Sequence, residues 1–573
     1  MKLIGIYHRV PYIDLRETGD MPCVAKGKNA LLAQECASEG GLLACVVGRI
    51  RNARALAMEL GVSSSGGAEI VLAAYRRWGE GYPEKIEGNA LSVLMDCEED
   101  LLILARDRMG EQPLFYCALN GYIAFSDHPD ALLEAGACRP VVDAQGLNEL
   151  FALGPARTPG RTPYRDMAEL EPGTALVVRN GKSQKQIYFH LEAREHTHDA
   201  RKTVETVRGL LEQAMEEICA CKPACMLSGG LDSTTLAALL TRKIGKIESF
   251  SVDYEGNAQH FQQTAFQPSR DAPYIEMAAE ALGTNHRQIM LSQQELADNL
   301  EAAVDARGFP GMADVDSSML LFARQIAPHA RAALSGECAD EVFGGYPWFR
   351  DASFMHEDQF PWSGSMALRE GILRREVACE LRPAEFVRDT LRSAVNAVEH
   401  LPGEAAEEKC LRTMQVLCFQ FFMANLQERA RQMCLDANLE VLTPFCDDRL
   451  VLYVYNVPWK MKFTGGREKG LLREAVKDLL PEALAQRKKS PYPKTCNPVY
   501  AQIVRRMTTR MLEDSGSPIL KLVDEGALRA LLESDLAPTK TPWYGQLMAG
   551  PQMLAYLLQI NQWLKARKVE IIL

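Results

Sequence analysis

The chain has 573 residues, 47% hydrophobic and 24% charged, with 41 glycines and 29 prolines. That length outgrows a single hydrophobic core and predicts about two to four domains, and the balance excludes disordered and fibrous classes. A formal net charge of −11 repels a phosphate backbone, so nucleic acid is not an expected partner, although a local basic pocket for a nucleotide is compatible with it.

The opening stretch MKLIGIYHRV carries only about four apolar residues before Tyr and His, too few for the core of a signal peptide. No later stretch approaches the roughly twenty apolar residues of a membrane span. The expectation is a cytoplasmic protein with no membrane contact, whose sixteen cysteines are reduced, buried hydrophobes rather than a disulfide framework. Cys219, Cys221 and Cys225 in ICACKPACML read as a helix end, a turn at Pro223 and a buried strand. A metal cluster is the alternative, but no second Cys or His pair at ligand spacing accompanies it.

Between Gly41 and Phe125 the short apolar runs LLACVV, ALSVLM, LLILA and PLFYC predict stacked β-sheet, with a helix over Ala68 to Arg77. The polar segment 191–202 lacks an apolar period and reads as a linker, and its His196 and His198, like His190 just before it, read as solvated rather than metal-bound. Strand and helix then alternate: ACML with a helix near Asp232, ESFSV with one near Pro273, RQIML with one near Gln293, AALS with one near Ala339. Such units predict a mostly parallel sheet with helices on both faces and ligands beyond the carboxyl ends of its strands. Helical periodicity dominates from Arg369 onward.

The segment Met226 to Thr234 leaves a strand and opens a helix with two glycines and two hydroxyls, which is anion-binding chemistry: close backbone amides and an unpaired helix N-terminus. It is not a Walker A loop, since no Gly-Lys-Ser/Thr follows. Asp232 would be repelled by phosphate unless a divalent cation lay between them, which implies magnesium.

SGGLDST resembles the pyrophosphate loop of the ATP-pyrophosphatases, and SFSVDYEGN, VDARGFPGMADVDSS, LSGECADEVFGGYPWF, PFCDDRL, REKGLLRE and RKKSPYPKT narrow the resemblance to the asparagine synthetases over about residues 40 to 500. The resemblance implies an α/β protein of two parts. Residues 1–190 form a degenerate Ntn-type αββα glutaminase sandwich, and residues 203–573, after the linker, form a doubly wound parallel ATP-pyrophosphatase sheet with a helical C-terminal extension. It further implies ATP and Mg²⁺ as cofactors, with Ser228, Gly229, Gly230, Leu231, Asp232 and Ser233 cradling phosphates. Leu227 and Val252 would line the adenine and ribose pocket, Asp232 and Asp340 would meet the metal, and Lys469 would neutralise departing pyrophosphate. Ser335, Gly336 and Glu337 fall where nucleotide and amino-acid sites join, with Glu337 ordering the amine and accepting its proton. Ser317 and Ser318 fall where the family binds aspartate. The implied reaction is adenylation of a carboxylate, aspartate in the first instance, and amidation by ammonia to give asparagine, AMP and pyrophosphate.

The chain departs from the family at several positions. The N-terminal cysteine whose own amine serves as base in glutamine hydrolysis is replaced by Met1-Lys2-Leu3, and the arginine-rich early loop is deleted. The Asn-Gly-Glu stretch becomes Val47-Gly48-Arg49, and the acidic position at the following helix start becomes Gly67. Glutamine hydrolysis is therefore expected to be absent. Leu442 in EVLTPF replaces an arginine, which removes a bidentate carboxylate partner and leaves the acceptor open. Three alternatives stand beside the leading one: a repurposed ligase resembling β-lactam synthetases or lasso-peptide cyclases, a non-catalytic nucleotide-binding partner, and delivery of ammonia by a separate subunit. A homodimer is also left open.

Overall fold

The computed structural model describes residues 3–7, 23–26, 29–33, 35–119, 122–263, 267–351, 354, 356, 358–364, 366–534, 536 and 542–573. Met1, Lys2 and the early loop in segment 8–22 lie outside them. The chain divides into two compact units, one of residues 1–146, 158–191 and 570–572, the other of 147–157, 192–569 and 573.

The first unit is built on two antiparallel six-stranded sheets. One runs Lys182–Ile187, Thr174–Arg179, Leu101–Ala105, Leu91–Asp96, Leu42–Val47, Glu35–Glu39. Its inner strands Leu42–Val47 and Leu101–Ala105 are apolar at every position because both faces are covered. Leu43, Cys45 and Val47 pack with Leu3, Tyr7 and Phe125 of the other sheet, while Leu42, Ala44 and Val46 pack on Ile70, Val71 and Ala74 of the helix Gly67–Trp78. Strand alternation sends successive side chains to opposite layers, so a continuous hydrophobic run such as LLACVV belongs to a doubly covered strand. These sheets and their helix layer form the Ntn-type sandwich.

Two segments cross the division that the sequence places at residues 190 and 203. Glu570–Ile571 pairs in parallel with Val141–Val142, its ends held by Glu570 N–H to the Pro140 carbonyl (2.8 Å) and Ile572 N–H to the Val142 carbonyl (2.9 Å). Residues 147–157 belong instead to the second unit, where Tyr556 Oη donates to the Leu150 carbonyl at 2.8 Å. Both exchanges come from partners hundreds of residues away in sequence, beyond any local pattern. The expected linker is also shorter: Asp199 caps a helix Ala200–Cys219 by accepting from Lys202 N–H at 2.8 Å. His196 is partly buried against Tyr453 rather than solvated, with Nε2 2.8 Å from Thr203 Oγ1.

The second unit is wound on a five-stranded parallel sheet, ordered Asn285–Leu291, Glu248–Tyr254, Ala224–Met226, Ala332–Leu334, Glu440–Leu442. From Ala224–Met226 the chain moves outward to one side, through Glu248–Tyr254 to Asn285–Leu291, then returns to lay Ala332–Leu334 on the other. The reversal lies between Ala224–Met226 and Ala332–Leu334, the place where an open α/β sheet leaves a crevice at its carboxyl ends. Helices begin at Leu231, Ala272, Gln293 and Ala339, within a residue of each expected start. Farther along, Ala406–Leu417 and Ala424–Asp436 are joined without a break by a π-helical turn, Cys418–Met423. Among the described residues no helix is long and apolar enough to cross a membrane.

Candidate active site

Two loops leave the neighbouring strands at the switch point. The first, Leu227–Gly230, opens the helix Leu231–Ile244. Gly229 has φ +67°, and a Cβ there would stand 2.7 Å from the Ile275 amide nitrogen, so the tight turn requires glycine. Ser228 and Ser233 face each other with hydroxyls 2.9 Å apart, and Ser233 Oγ accepts from Ser228 N–H at 3.1 Å. The second loop, Ser335–Cys338, opens the short helix Ala339–Phe343. Gly336 lets the two loops touch, since a Cβ would lie 3.0 Å from Asp232 Cβ.

Each loop delivers a carboxylate, and one lysine joins them. Lys469 Nζ lies 2.6 Å from Asp232 Oδ2 and 2.6 Å from Asp340 Oδ1. Lys489 Nζ adds a second cation 2.8 Å from Asp340 Oδ2. Lys469 holds φ +54° at the start of the helix Gly470–Val476, an uncommon backbone for lysine that persists where surroundings over-determine it. Burial raises the Asp232 carboxyl, with Lys469 opposing. Burial also works to raise Asp340, but Lys469 and Lys489 outweigh it and hold that carboxyl at about 2. Asp232 Oδ1 is buried with no hydrogen-bond partner among the described residues.

A single segment braces this arrangement. Arg487 donates through Nη1 to the Ser228 carbonyl at 3.0 Å, pairs with Asp271 through Nη2, and stacks 4.2 Å from the Tyr274 ring. Ser490 donates to Asp271 at 3.0 Å. The run Arg487–Ser490 thereby ties the Leu227–Gly230 loop, the helix start near Asp271 and Asp340 into one frame.

The model of the asparagine synthase family matches residues 206–565, and that of the glutamine amidotransferase domain matches residues 7–189. The chain belongs to the asparagine synthase family. It is 39% identical over 510 residues to asparagine synthetase [glutamine-hydrolyzing] 3 of Bacillus subtilis, covering 88% of this chain and 83% of that protein. Asparagine synthetase [glutamine-hydrolyzing] 1 of the same organism is 24% identical, with 74% and 70% covered. Amidase chyE of Penicillium rubens is 25% identical, with 84% and 81% covered. As a member of the asparagine synthase family the chain is an AMP-forming carbon–nitrogen ligase that uses ATP.

In this asparagine synthase domain Leu227, Ser228, Asp232, Ser233, Val252, Ser335, Gly336, Glu337 and Asp340 line one cavity. Gly229, Gly230 and Leu231 form the turn and helix start beneath it, and Lys469 reaches it through the two carboxylates. Ser317 and Ser318 are fully buried and do not line it; Ser318 Oγ is engaged by Tyr254 Oη (2.7 Å) and Tyr492 Oη (3.2 Å). The wall there consists of Met319, Tyr492 and Arg429. Arg429 Nη2 donates to Glu337 Oε1 at 2.6 Å, and burial raises the Glu337 carboxyl against the pull of that guanidinium. Leu442 is buried and contributes its carbonyl, which accepts from Ser335 N–H at 2.9 Å.

Arg429, Arg487, Lys489 and Asp271 are charged groups at this site that reading the sequence did not single out. Two of them, Arg487 and Lys489, lie in the quoted stretch RKKSPYPKT, whose charge was visible. Their direction was not.

Proposed function

We propose that this chain joins ammonia to aspartate, forming asparagine, AMP and pyrophosphate. The observation that carries the reading is the Asp232–Lys469–Asp340–Lys489 cluster beside the Ser228–Ser233 anion loop. A carboxylate oxygen of aspartate attacks the α-phosphorus of ATP, pyrophosphate leaves, and the nitrogen of ammonia then attacks the acyl carbon and expels AMP. Lys469 and Lys489 meet charge that grows on the departing pyrophosphate, and fixed cations in a dry site need no reorganisation as it grows. Glu337 Oε2, buried without a hydrogen-bond partner among the described residues, takes the proton that the attacking nitrogen loses.

Mg²⁺ fits the residues present: two carboxylates share one point, and Asp232 Oδ1 has an unmet acceptor, an oxygen-only set suited to a hard cation that also holds phosphates. When bound it would neutralise the phosphate oxygens and hold them in line. Lys469, expected from the sequence to neutralise pyrophosphate, also balances the charge of Asp232 and Asp340.

Ammonia rather than glutamine is the proposed nitrogen source for this chain. Support comes from the position that is acidic in glutamine-hydrolysing relatives by resemblance: a Cβ on Gly67 would stand 3.1 Å from Glu35 Oε1, which accepts from Ala68 N–H at 3.1 Å. Glu35 thus fills the helix start that a side chain at 67 would need.

Pyrophosphate release from ATP, Mg²⁺ and aspartate, compared with ammonium, glutamine and neither, tests both statements. Release and asparagine formation with ammonium alone are expected, and Asp232→Ala should lower the rate about 100-fold or more. Equal rates with glutamine would overturn the nitrogen assignment; silence with aspartate and every nitrogen source would overturn the acceptor.

A further inference from the structure

In the cavity wall one charged group has more bonding capacity than its neighbours use. Arg429 is 3% exposed and lines the cavity. Its Nη2 is committed to Glu337, but Nε and Nη1 are buried with no hydrogen-bond partner among the described residues. The guanidinium is held rather than mobile: it lies 5.0 Å from the centre of the Tyr492 ring and is carried by the helix Ala424–Asp436. A buried donor left unmet is costly, and a guanidinium suits planar carboxylates better than any other cation. Met312, Met319, Phe422, Leu426 and Leu547 add apolar wall, and the other cation lining the cavity, Lys489, is already paired with Asp340, so the unspent donors that an anion meets are those of Arg429. Leu442 supplies no charge to compete.

We infer that Arg429 anchors the carboxylate of the acceptor that is not activated and so selects a free amino acid over a side chain within a peptide. This rests on the amidation reading above and sharpens it. A side-chain carboxylate within a peptide carries no free α-carboxylate, so a peptide acceptor would leave Arg429 unmatched. Glu337 keeps its Oε2 for the attacking nitrogen, and Arg429 fixes the reacting carboxylate by holding the other one.

The test pairs a variant with an acceptor analogue. Pyrophosphate release is measured for the wild type, Arg429→Lys and Arg429→Gln with aspartate and with aspartic acid α-amide, and aspartate binding in the presence of ATP and Mg²⁺ is followed separately by calorimetry. The wild type should show a KM about 10- to 100-fold higher for the α-amide, the loss expected for one charge-assisted contact. Arg429→Gln should raise KM for aspartate by a similar factor, leave KM for ATP unchanged, and no longer discriminate the two acceptors. Arg429→Lys, which keeps the charge, should recover part of the discrimination. Equal loss of kcat on both acceptors with discrimination intact would overturn the anchor, as would aspartate binding that is unchanged in Arg429→Gln or absent in the wild type. Arg429-dependent aspartate binding without pyrophosphate release would support the anchor while overturning the amidation reading.

Discussion

Lys469 stands 2.6 Å from each of two carboxylates that come from different loops, and removing it would leave them facing each other in a buried site. Lys469→Ala is expected to lower pyrophosphate release about 100-fold or more and to reduce folding stability by roughly 3–5 kcal/mol, measured by turnover and by chemical denaturation. An unchanged denaturation midpoint would show that the two acids are balanced in some other way. Asp314 sets a pH dependence of opposite origin. Burial raises its carboxyl from 3.8 to about 6, with Gln552 and Lys494 opposing. Since the folded state holds this proton more tightly, the associated stability is fully present below pH 3.8 and lost as pH rises through about 6. Asp314→Asn should therefore flatten the Tm against pH curve over that window; a curve of unchanged slope would remove Asp314 from the account.

The Leu227–Gly230 loop owes its shape to what packs around it. Gly229 is pressed against the backbone of the helix Ala272–Leu282, and Arg487 holds the Ser228 carbonyl from the opposite chain segment. Arg487→Ala keeps every residue of the loop but removes its brace. Its KM for ATP should rise about 10-fold, the worth of one charged hydrogen bond, with a smaller change in KM for the acceptor. Gly229→Ala adds a methyl 2.7 Å from a backbone nitrogen at positive φ, and loss of ATP binding, followed by equilibrium titration, is the expected outcome. Farther along, the π-helical turn Cys418–Met423 carries Phe422 into the cavity wall and feeds the helix that bears Arg429. Turns of this kind interrupt the regular register of a helix and recur at functional sites.

Across the whole molecule, the chain returns at its far end to the unit in which it began. Glu570–Ile571 completes a two-stranded pairing with Val141–Val142. Removing residues 570–573 should lower the stability of the first unit by about 1–2 kcal/mol, given the backbone hydrogen bonds lost, and leave pyrophosphate release intact. A denaturation curve that resolves the two units would report it. Loss of activity in step with the first unit would mean that the synthetase unit depends on it for turnover.

The sequence by itself determined the Ser228–Ser233 strand-to-helix turn and the alternation that builds the parallel sheet, and it named Asp232, Asp340 and Lys469, which meet in the structure. These signals are local: glycine and hydroxyl at a strand-to-helix turn, apolar runs of strand length, helix starts within a residue of expectation. It also exposed the departures at Gly67 and Leu442, because a missing residue type is visible without coordinates. Only the tertiary structure decided which charges converge. Arg429 and Glu337 are 92 positions apart, Lys489 and Asp340 149, and Arg487 and Ser228 259. It likewise set Ser317 and Ser318 behind the cavity wall, since a helix shows one face to a site and buries the rest, and returned residues 570–572 to the first unit. Composition and spacing state which groups a chain possesses; the direction each side chain faces is set by packing against segments hundreds of residues away.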